Sequence, residues 1–112
     1  LNVWGTWCPA CKDEHDDLMW LAEEQGVNII GLNYKDNRED ALVWLDRLGD
    51  PYRKTIYDPR GTLGFDLGVY GAPETFVIDA AGVVRYRHVG VVNKTVWEQT
   101  LLPVINDVQG NG

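Results

Sequence analysis

The sequence predicts one α/β domain, a sheet that carries helices on both of its faces. Strand and helix patterns alternate through the first half of the chain, which indicates parallel crossover connections. The second half ends in two strands joined by a tight turn and followed by a helix, which adds an antiparallel hairpin. The 112 residues, of which 45% are hydrophobic, are enough to bury a single core.

The first half of the chain is predicted to form two strand–helix units. Leu1–Trp4 is an apolar run that ends at a glycine, as a buried strand would. Ala10–Gln25 has apolar residues at helical spacing, and Gly26 suits the end of that helix. Val27–Leu32 is a short apolar run typical of a strand buried on both faces, and the apolar stripe of Asn37–Leu48 predicts a second helix.

The second half is predicted to add a small insertion, a hairpin and a final helix. Its elements are a strand at Tyr52–Tyr57, a short helix at Thr62–Leu67, strands at Thr75–Asp79 and Val83–Val89, and a helix at Thr95–Val108. Asn93 is a plausible cap for the final helix. Pro103 lies inside that helix and lacks the N–H that an inner turn needs, so we expect it to bend the helix there.

The charge balance and the hydropathy pattern limit the classes of partner. The net charge of −7 provides no basic surface for nucleic acid. No apolar run approaches the roughly 18 residues that a membrane-spanning helix needs. The chain starts at Leu1, without Met, inside an apolar run, so we expect further strands and any membrane anchor to lie upstream of this sequence.

The two cysteines, Cys8 and Cys11, are predicted to be reactive rather than structural. A disulfide across a two-residue gap closes too small a loop to stabilise the fold much. The pair lies where a strand passes into a helix, and Pro9 suits the first helical turn. Free N–H groups there lower the pKa of a thiol, so we expect Cys8 to be the exposed nucleophile and Cys11 the more buried resolving thiol.

A metal-binding module is the alternative from another functional class. Cys8 and Cys11 could hold copper or zinc together with a histidine, and His15 lies four residues after Cys11. His88 is the other histidine of the chain. A zinc site usually needs about four ligands. The leading interpretation of the cysteine pair therefore includes neither a metal nor another cofactor.

A second motif lies in the loop that precedes the strand at Thr75–Asp79. Gly71-Ala72-Pro73-Glu74 places a proline directly before that strand. If the Ala72–Pro73 peptide is cis, the backbone of Ala72 is turned outward and can pair with an extended substrate segment beside Cys8. The proline ring would also keep metals away from the thiols.

Six segments carry a pattern that extends well beyond the cysteine pair: Asn2–Trp4, Trp7–Cys11, Glu14–His15, Gly31–Asp36, Gly68–Phe76 and Ile78–Asp79. The run GVYGAPETF within them is far more specific than the cysteine spacing. With these segments the chain resembles the thioredoxin superfamily, and within it the DsbE/CcmG branch of membrane-tethered proteins that act in bacterial cytochrome c maturation. The resemblance spans almost the whole chain. It implies a thioredoxin fold, a central mixed sheet flanked by helices, with a helix and strand inserted before the cis-proline loop.

The resemblance implies a periplasmic thiol:disulfide oxidoreductase, tethered to the inner membrane in the full-length protein. Such proteins pass electrons from a reduced cysteine pair to the CxxCH cysteines of apocytochrome c or to another thiol protein of cytochrome maturation. A membrane electron donor of the DsbD/CcdA type reduces them again. A general thioredoxin-like reductase or an oxidant is the alternative within the superfamily.

The same resemblance assigns the site residues. Those expected to take part in catalysis are Cys8, Cys11, Pro73, Glu14 and Glu74, and those expected to contact the substrate are Trp7, Pro9, Ala10 and Ala72. Glu14 lies one helical turn after Cys11, and Glu74 follows Pro73 and is expected to face the pair as well. Ionised carboxylates near the sulfurs would disfavour the thiolate and so make the protein a stronger reductant.

Overall fold

The computed structural model describes residues 1–110 and contains a five-stranded sheet with helices on both faces. The strands are β1 Asn2–Trp4, β2 Ile30–Tyr34, β3 Lys54–Asp58, β4 Glu74–Ile78 and β5 Val84–Val89. The helices are α1 Pro9–Glu23, α2 Arg38–Leu48, α3 Thr62–Asp66, α4 Lys94–Val96 and α5 Leu102–Gly110, with a π-helical segment Trp97–Leu101 between the last two. Within residues 1–110, no helix is both long and apolar enough to cross a bilayer.

The sheet is mixed, with strand order β3-β2-β1-β4-β5. β1, β2 and β3 are parallel, whereas β4 runs antiparallel to β1 and β5 antiparallel to β4. The central strand β1 therefore has a partner on each side: Val3 pairs with Leu32 of β2 and with Glu74 of β4. The predicted mixed sheet, with its parallel crossovers and closing hairpin, is confirmed.

Two apolar clusters cover the two faces of the sheet. Trp4 belongs to the larger cluster, which α1, α2 and the C-terminal helical segments enclose and which includes both cysteines. Val3, next to it on β1, points to the opposite face and joins the second cluster with Leu32 and Phe76. α3 lies on this second face, where its Gly64 is in close contact with the ring of Tyr34. The alternation along β1 thus separates a face covered by α1 from a face covered by α3.

Some element boundaries differ from the predicted ones because hydrogen bonding, not hydrophobicity, decides where an element begins. The second strand starts at Ile30 rather than Val27, since the Val27 N–H donates to the Leu21 carbonyl at the end of α1. Pairing with β3 then begins at Ile30, opposite Lys54. That a helix and strand form an insertion before the proline loop remains a prediction.

The final helix, predicted over Thr95–Val108 with a bend at Pro103, contains a segment that is not α-helical. A π-helical segment, Trp97–Leu101, replaces the expected α-helical turns, and the Leu102 N–H donates to the carbonyl of Trp97, five residues earlier. π-helical turns widen a helix and can accommodate a break in the ordinary hydrogen-bond ladder. Pro103, which has no N–H to donate, is the second residue of α5 and lies two positions after this segment.

Gly31 of β2 allows two aromatic side chains to pack against the sheet, and its replacement should destabilise the protein. A Cβ at this position would lie 2.8 Å from Trp4 Nε1 and 2.8 Å from Tyr52 Cγ, and neither buried ring can move freely. We expect Gly31→Ala to lower the free energy of unfolding by about 1–3 kcal/mol, measured by urea denaturation. Gly71→Ala is the control, because a Cβ at Gly71 meets nothing within 4 Å. Equal stabilities for the two variants would contradict this account of the packing.

Candidate active site

Cys8 and Cys11 form a disulfide at the start of α1. Cys8 is the N-cap of the helix, and its Sγ accepts a hydrogen bond of 3.1 Å from the Cys11 N–H. Pro9 occupies the first turn, where its missing N–H costs nothing. Backbone donors of a helix N-terminus favour a negatively charged sulfur. The local geometry therefore suits Cys8 as a thiolate once the disulfide is reduced.

Both sulfurs lie at the edge of the core. The prediction that Cys8 is exposed is wrong for this oxidised structure, in which Cys8 is 4% exposed and Cys11 1% exposed. The reason is that the disulfide holds Cys8 against the apolar cluster on the α1 face. Exposed surface beside the pair comes from its neighbours instead. Trp7 is 48% exposed, Pro9 is exposed and Ala10 is half-buried.

The indole of Trp7 is held at the rim of the site. Its Nε1–H donates a hydrogen bond of 2.9 Å to the carbonyl of Tyr34 at the end of β2. The indole lies over Gly5, and a Cβ at that position would overlap it. An exposed aromatic ring in a fixed position can contact a partner at little cost in conformational entropy.

Asp36 fixes the loop that precedes Trp7. Its carboxylate accepts hydrogen bonds from the Thr6 N–H at 2.7 Å and the Thr6 hydroxyl at 2.8 Å. The Asn33 side chain and the Asn37 N–H are further donors. Burial alone would raise the pKa of Asp36, but these hydrogen bonds outweigh it and lower the pKa. Asp36 thus stays ionised and ties the loop before the cysteines to the end of β2.

The proline loop reaches the same end of the sheet. The Ala72–Pro73 peptide bond is cis, as predicted. Because Glu74 pairs with Val3, the preceding Pro73 lies beside the end of β1 that leads to Cys8. The Pro73 carbonyl accepts a hydrogen bond of 3.0 Å from the Gly90 N–H, which connects this loop to the loop after β5.

Glu14 is completely buried on the α1 face, one helical turn after Cys11. Its Oε2 accepts a hydrogen bond of 2.9 Å from Asn2 Nδ2, and its Oε1 one of 3.0 Å from the Val92 N–H. Burial raises the pKa of Glu14 to about 7, although both hydrogen bonds act in the opposite direction; the nearby charge of Asp17 raises it further. The carboxyl group can therefore gain or lose a proton near neutral pH.

Glu74 lies on the opposite face of the sheet from Glu14. It shares the face of its partner Val3, whereas Asn2, which contacts Glu14, points the other way. Arg87 forms an ion pair with the buried Glu74 carboxylate. The expectation that Glu74 faces the cysteine pair is therefore corrected: Glu74 lies on the sheet face opposite the cysteines, and the Arg87 guanidinium offsets its charge.

The carboxylate of Glu74 also organises the proline loop. Its Oε2 accepts hydrogen bonds from the backbone N–H groups of Tyr70 at 3.1 Å and Gly71 at 3.2 Å. Arg87 donates from Nε to the other oxygen at 2.7 Å and from Nη2 to the Gly68 carbonyl at 2.8 Å. Glu74 therefore links strand β4 to the segment that carries Ala72 and Pro73.

The histidines are not grouped with the cysteines. His15 Nε2 donates to the Gly49 carbonyl at 2.8 Å, and the His15 ring stacks edge-on against Trp44. His88 Nε2 lies 3.1 Å from the Val91 carbonyl. In the part of the chain that the structure describes, no three His, Cys, Asp or Glu side chains are placed to hold a metal ion. The geometry does not favour the metal-binding alternative.

Sequence reasoning missed Asn2 as the polar side-chain partner of Glu14, and Tyr52 and Thr75 as the partners of Asn2. The Tyr52 hydroxyl donates to Asn2 Oδ1 at 2.8 Å, and Asn2 Nδ2 also lies 3.2 Å from Thr75 Oγ1. These residues are distant in sequence, so no local spacing connects them. The one available signal was Asn2 itself, a polar side chain inside an apolar strand.

Comparisons with known proteins agree with this geometry. A sequence profile of the Redoxin family matches residues 1–103. The thiol:disulfide interchange protein DsbE of Vibrio cholerae is 62% identical over 104 residues, which is 93% of this chain and 56% of that protein. The chain thus spans little more than half the length of such curated relatives.

Solved structures confirm the predicted thioredoxin fold. A secreted thiol-disulfide isomerase from Corynebacterium glutamicum superposes with a TM-score of 0.77 at 30% identity, covering 94% of this chain and 68% of that one. A putative thioredoxin from Neisseria meningitidis gives a TM-score of 0.79 at 18% identity, covering 97% of this chain and 75% of that one. At such low identity the second likeness shows the fold alone.

The buried Glu14 should make stability depend on pH. Its pKa is 4.5 ordinarily and about 7 in the fold, so the folded protein binds more protons than the unfolded chain between these values. Stability due to this group is therefore lost as the pH rises from 4.5 to about 7. We compare the unfolding free energy of Glu14→Gln with that of the wild type at each pH. Between about pH 4 and about pH 8, we expect this difference to change by about 3 kcal/mol in favour of Glu14→Gln.

Urea denaturation of the oxidised proteins across this pH range measures that change. Glu23→Gln is the matched control, because Glu23 lies on the same helix and is exposed. Its stability should follow that of the wild type at every pH. A constant difference between Glu14→Gln and the wild type would contradict the raised pKa.

Proposed function

Since the chain belongs to the Redoxin family, we propose that it is a thiol:disulfide oxidoreductase that works through Cys8 and Cys11. The observation that carries this proposal is the disulfide at the N-terminus of α1, beside the loop of cis-Pro73. A structural disulfide across two residues would add little stability. A disulfide in which the Cys8 sulfur accepts a helix N-terminal N–H can be reduced and re-formed in each catalytic cycle.

The reaction starts from the reduced pair. The Cys8 thiolate attacks one sulfur of a partner disulfide, forms a mixed disulfide and releases the other partner sulfur as a thiolate. The Cys11 sulfur, after losing its proton, attacks Cys8 Sγ and forms the Cys8–Cys11 disulfide. The partner leaves as a dithiol, having gained two electrons and two protons. The structure corresponds to the oxidised end of this cycle.

Glu14 sets the direction of electron flow in this proposal. Its carboxyl lies on the α1 face, one turn from Cys11, and is partly ionised near neutral pH because its pKa is about 7. The negative charge disfavours a thiolate nearby, which destabilises the reduced pair relative to the disulfide. A less stable dithiol is a stronger reductant. Glu74 contributes through the shape of the proline loop, because Arg87 balances its charge.

The partner binds across the rim formed by Trp7, Pro9, Ala10 and Ala72 in this proposal. Trp7 and Pro9 are exposed next to the disulfide, and Ala10 and Ala72 are half-buried beside it. Pro73 is buried at the end of β1, where its loop borders the cysteines. An extended partner segment that lies along this loop would bring its disulfide to Cys8.

The specific role that we propose for this oxidoreductase is to deliver electrons, in the periplasm, to the cysteines of apocytochrome c or to another thiol protein of cytochrome maturation. The support is the high identity to a DsbE protein together with the GVYGAPETF loop that Glu74 holds in place. A membrane donor of the DsbD/CcdA type would restore the dithiol, and an anchor to the inner membrane would belong to the full-length protein. A general reductase or an oxidant is the competing function.

Trapping of a mixed disulfide tests the reaction. Incubation of reduced Cys11→Ser with an oxidised CxxCH peptide, with alkylation of the peptide thiol that is released, should yield a stable covalent adduct, since Cys8 attacks and no free thiol remains to resolve the mixed disulfide. Mass spectrometry of the intact protein detects the adduct. Cys8→Ser is the matched control and should give none. An adduct with Cys8→Ser alone would reverse the assigned roles and contradict the proposal.

A comparison of two peptide substrates distinguishes a reductase that is selective for the haem-attachment motif from a general disulfide reductase. The wild type should reduce the CxxCH peptide about tenfold faster than a peptide of the same composition whose histidine does not follow the second cysteine. Thiol release measures both rates. Equal rates would indicate a general disulfide reductase and would exclude selective recognition of the haem-attachment motif.

A further inference from the structure

Four buried or half-buried side chains form one hydrogen-bond network between α1 and the sheet. At its centre is Asn2, which contacts Glu14, Thr75 and Tyr52 at distances of 2.9, 3.2 and 2.8 Å. Asn2, Glu14 and Tyr52 are buried, and Thr75 is half-buried. The network connects β1, α1, β4 and the segment before β3, and it lies one helical turn from Cys11.

The hydrogen bonds define the orientation of the Asn2 amide when Glu14 is ionised. Oδ1 accepts from the Tyr52 hydroxyl, and the two hydrogens on Nδ2 go to Glu14 Oε2 and to Thr75 Oγ1. The other Glu14 oxygen, Oε1, accepts from the backbone N–H of Val92, which cannot reverse its direction. Both N–H donors of the amide and its carbonyl oxygen then have a partner.

A proton on Glu14 requires a different arrangement. Since Oε1 faces a fixed donor, the proton belongs on Oε2, where it would meet the N–H of Asn2. If the amide turns by half a rotation, Oδ1 accepts that proton and Nδ2 points to Tyr52. The hydroxyls of Tyr52 and Thr75 can each donate or accept, so both adjust: Tyr52 accepts from Nδ2 and Thr75 donates to Oδ1. In this arrangement the proton on Glu14 Oε2 has an acceptor in Asn2 Oδ1, and one Nδ2 hydrogen bonds to the Tyr52 hydroxyl.

We propose that Asn2 is the positioning residue of Glu14 and that its side-chain amide turns over when Glu14 Oε2 takes up a proton. Only one proton enters or leaves, on Oε2, while the hydroxyl hydrogens of Tyr52 and Thr75 rotate in place. The buried carboxyl group therefore has hydrogen-bond partners both when it is ionised and when it is protonated, and it can exchange a proton between these two states. The consequence for thiol chemistry rests on the proposed function, whereas the amide rotation does not.

Few charged groups influence the protonation of Glu14 in addition to the neutral Asn2 amide. From α1, Asp17 acts on Glu14 through its charge, and Cys11 lies one turn away. From the segment before β3, Tyr52 contributes a neutral hydroxyl, because burial, followed by the charges of Glu14 and Asp50, raises its pKa well above 10. β4 and the loop after β5 contribute the neutral Thr75 hydroxyl and the Val92 N–H. Asn2 is thus the side chain whose donor directly stabilises ionised Oε2.

Nuclear magnetic resonance on the oxidised protein tests the rotation. The Glu14 carboxyl carbon and the Asn2 side-chain amide should titrate with the same midpoint, near pH 7. In Glu14→Gln, the introduced side-chain amide donates permanently toward Asn2, so the Asn2 amide signals should stay at the wild-type low-pH positions at every pH. The side-chain amide of Asn33, which donates to Asp36, serves as an internal control and should not follow this titration.

The variant Asn2→Leu tests the positioning role. It removes a hydrogen bond to the charged form and should raise the Glu14 midpoint by about one pKa unit or more. Asn33→Leu makes the same change at a buried asparagine on β2 and should leave the midpoint in place. An unchanged midpoint in Asn2→Leu, or Asn2 amide signals that do not move while Glu14 titrates, would overturn the proposal.

The reduction potential provides a readout that a merely structural role would not move. In the wild type, a plot of reduction potential against pH should change slope, that is, bend, at the Glu14 midpoint. In Asn2→Leu, this bend should move to higher pH together with the midpoint. A bend that stays in place would overturn the positioning role. If the amide rotates as predicted but the potential shows no bend at all, the role proposed for Glu14 in thiol chemistry fails and the rotation stands.

Discussion

The pairing of β1 on both sides is the constraint on which the site depends. β1 has only three residues, yet it is hydrogen-bonded to β2 and to β4 and is completely buried. Its end therefore has a fixed position, and α1 begins a few residues later with Cys8 as its N-cap. The antiparallel partner β4 brings the cis-Pro73 loop to the same end. Two elements that are distant in sequence thus meet at the disulfide because they share one neighbour.

The two faces of β1 also separate the two buried acids. Asn2 points to the α1 face and holds Glu14, whereas Val3 points to the other face, which it shares with Glu74. The acids consequently have different environments. Glu14 has neutral hydrogen-bond donors, and its pKa rises to about 7 because of burial, whereas Glu74 has a guanidinium partner. One acid is suited to exchange a proton beside the cysteines, and the other is suited to hold the proline loop.

Much of this arrangement could be predicted from the sequence, where local patterns decide the structure. Apolar runs and helical spacing indicated the mixed sheet, and the Cys8–Cys11 pair at a strand–helix junction indicated redox chemistry. The exposure of Cys8 could not be predicted, because the disulfide and the apolar cluster together bury it. The Arg87–Glu74 ion pair and the Asn2 network join residues from different strands, and such contacts follow from strand register rather than from spacing along the chain.

We infer that the Cys8–Cys11 pair donates electrons, and its equilibrium reduction potential distinguishes such a reductant from an oxidant. The measurement uses a series of glutathione or dithiothreitol redox buffers at neutral pH, with the fraction of disulfide determined by thiol alkylation. A destabilised thiolate beside Glu14 predicts a potential near or below about −200 mV, on the reducing side of the range for thioredoxin-like proteins. A potential of about −120 mV would identify an oxidant that introduces disulfides and would rule out electron donation by this pair.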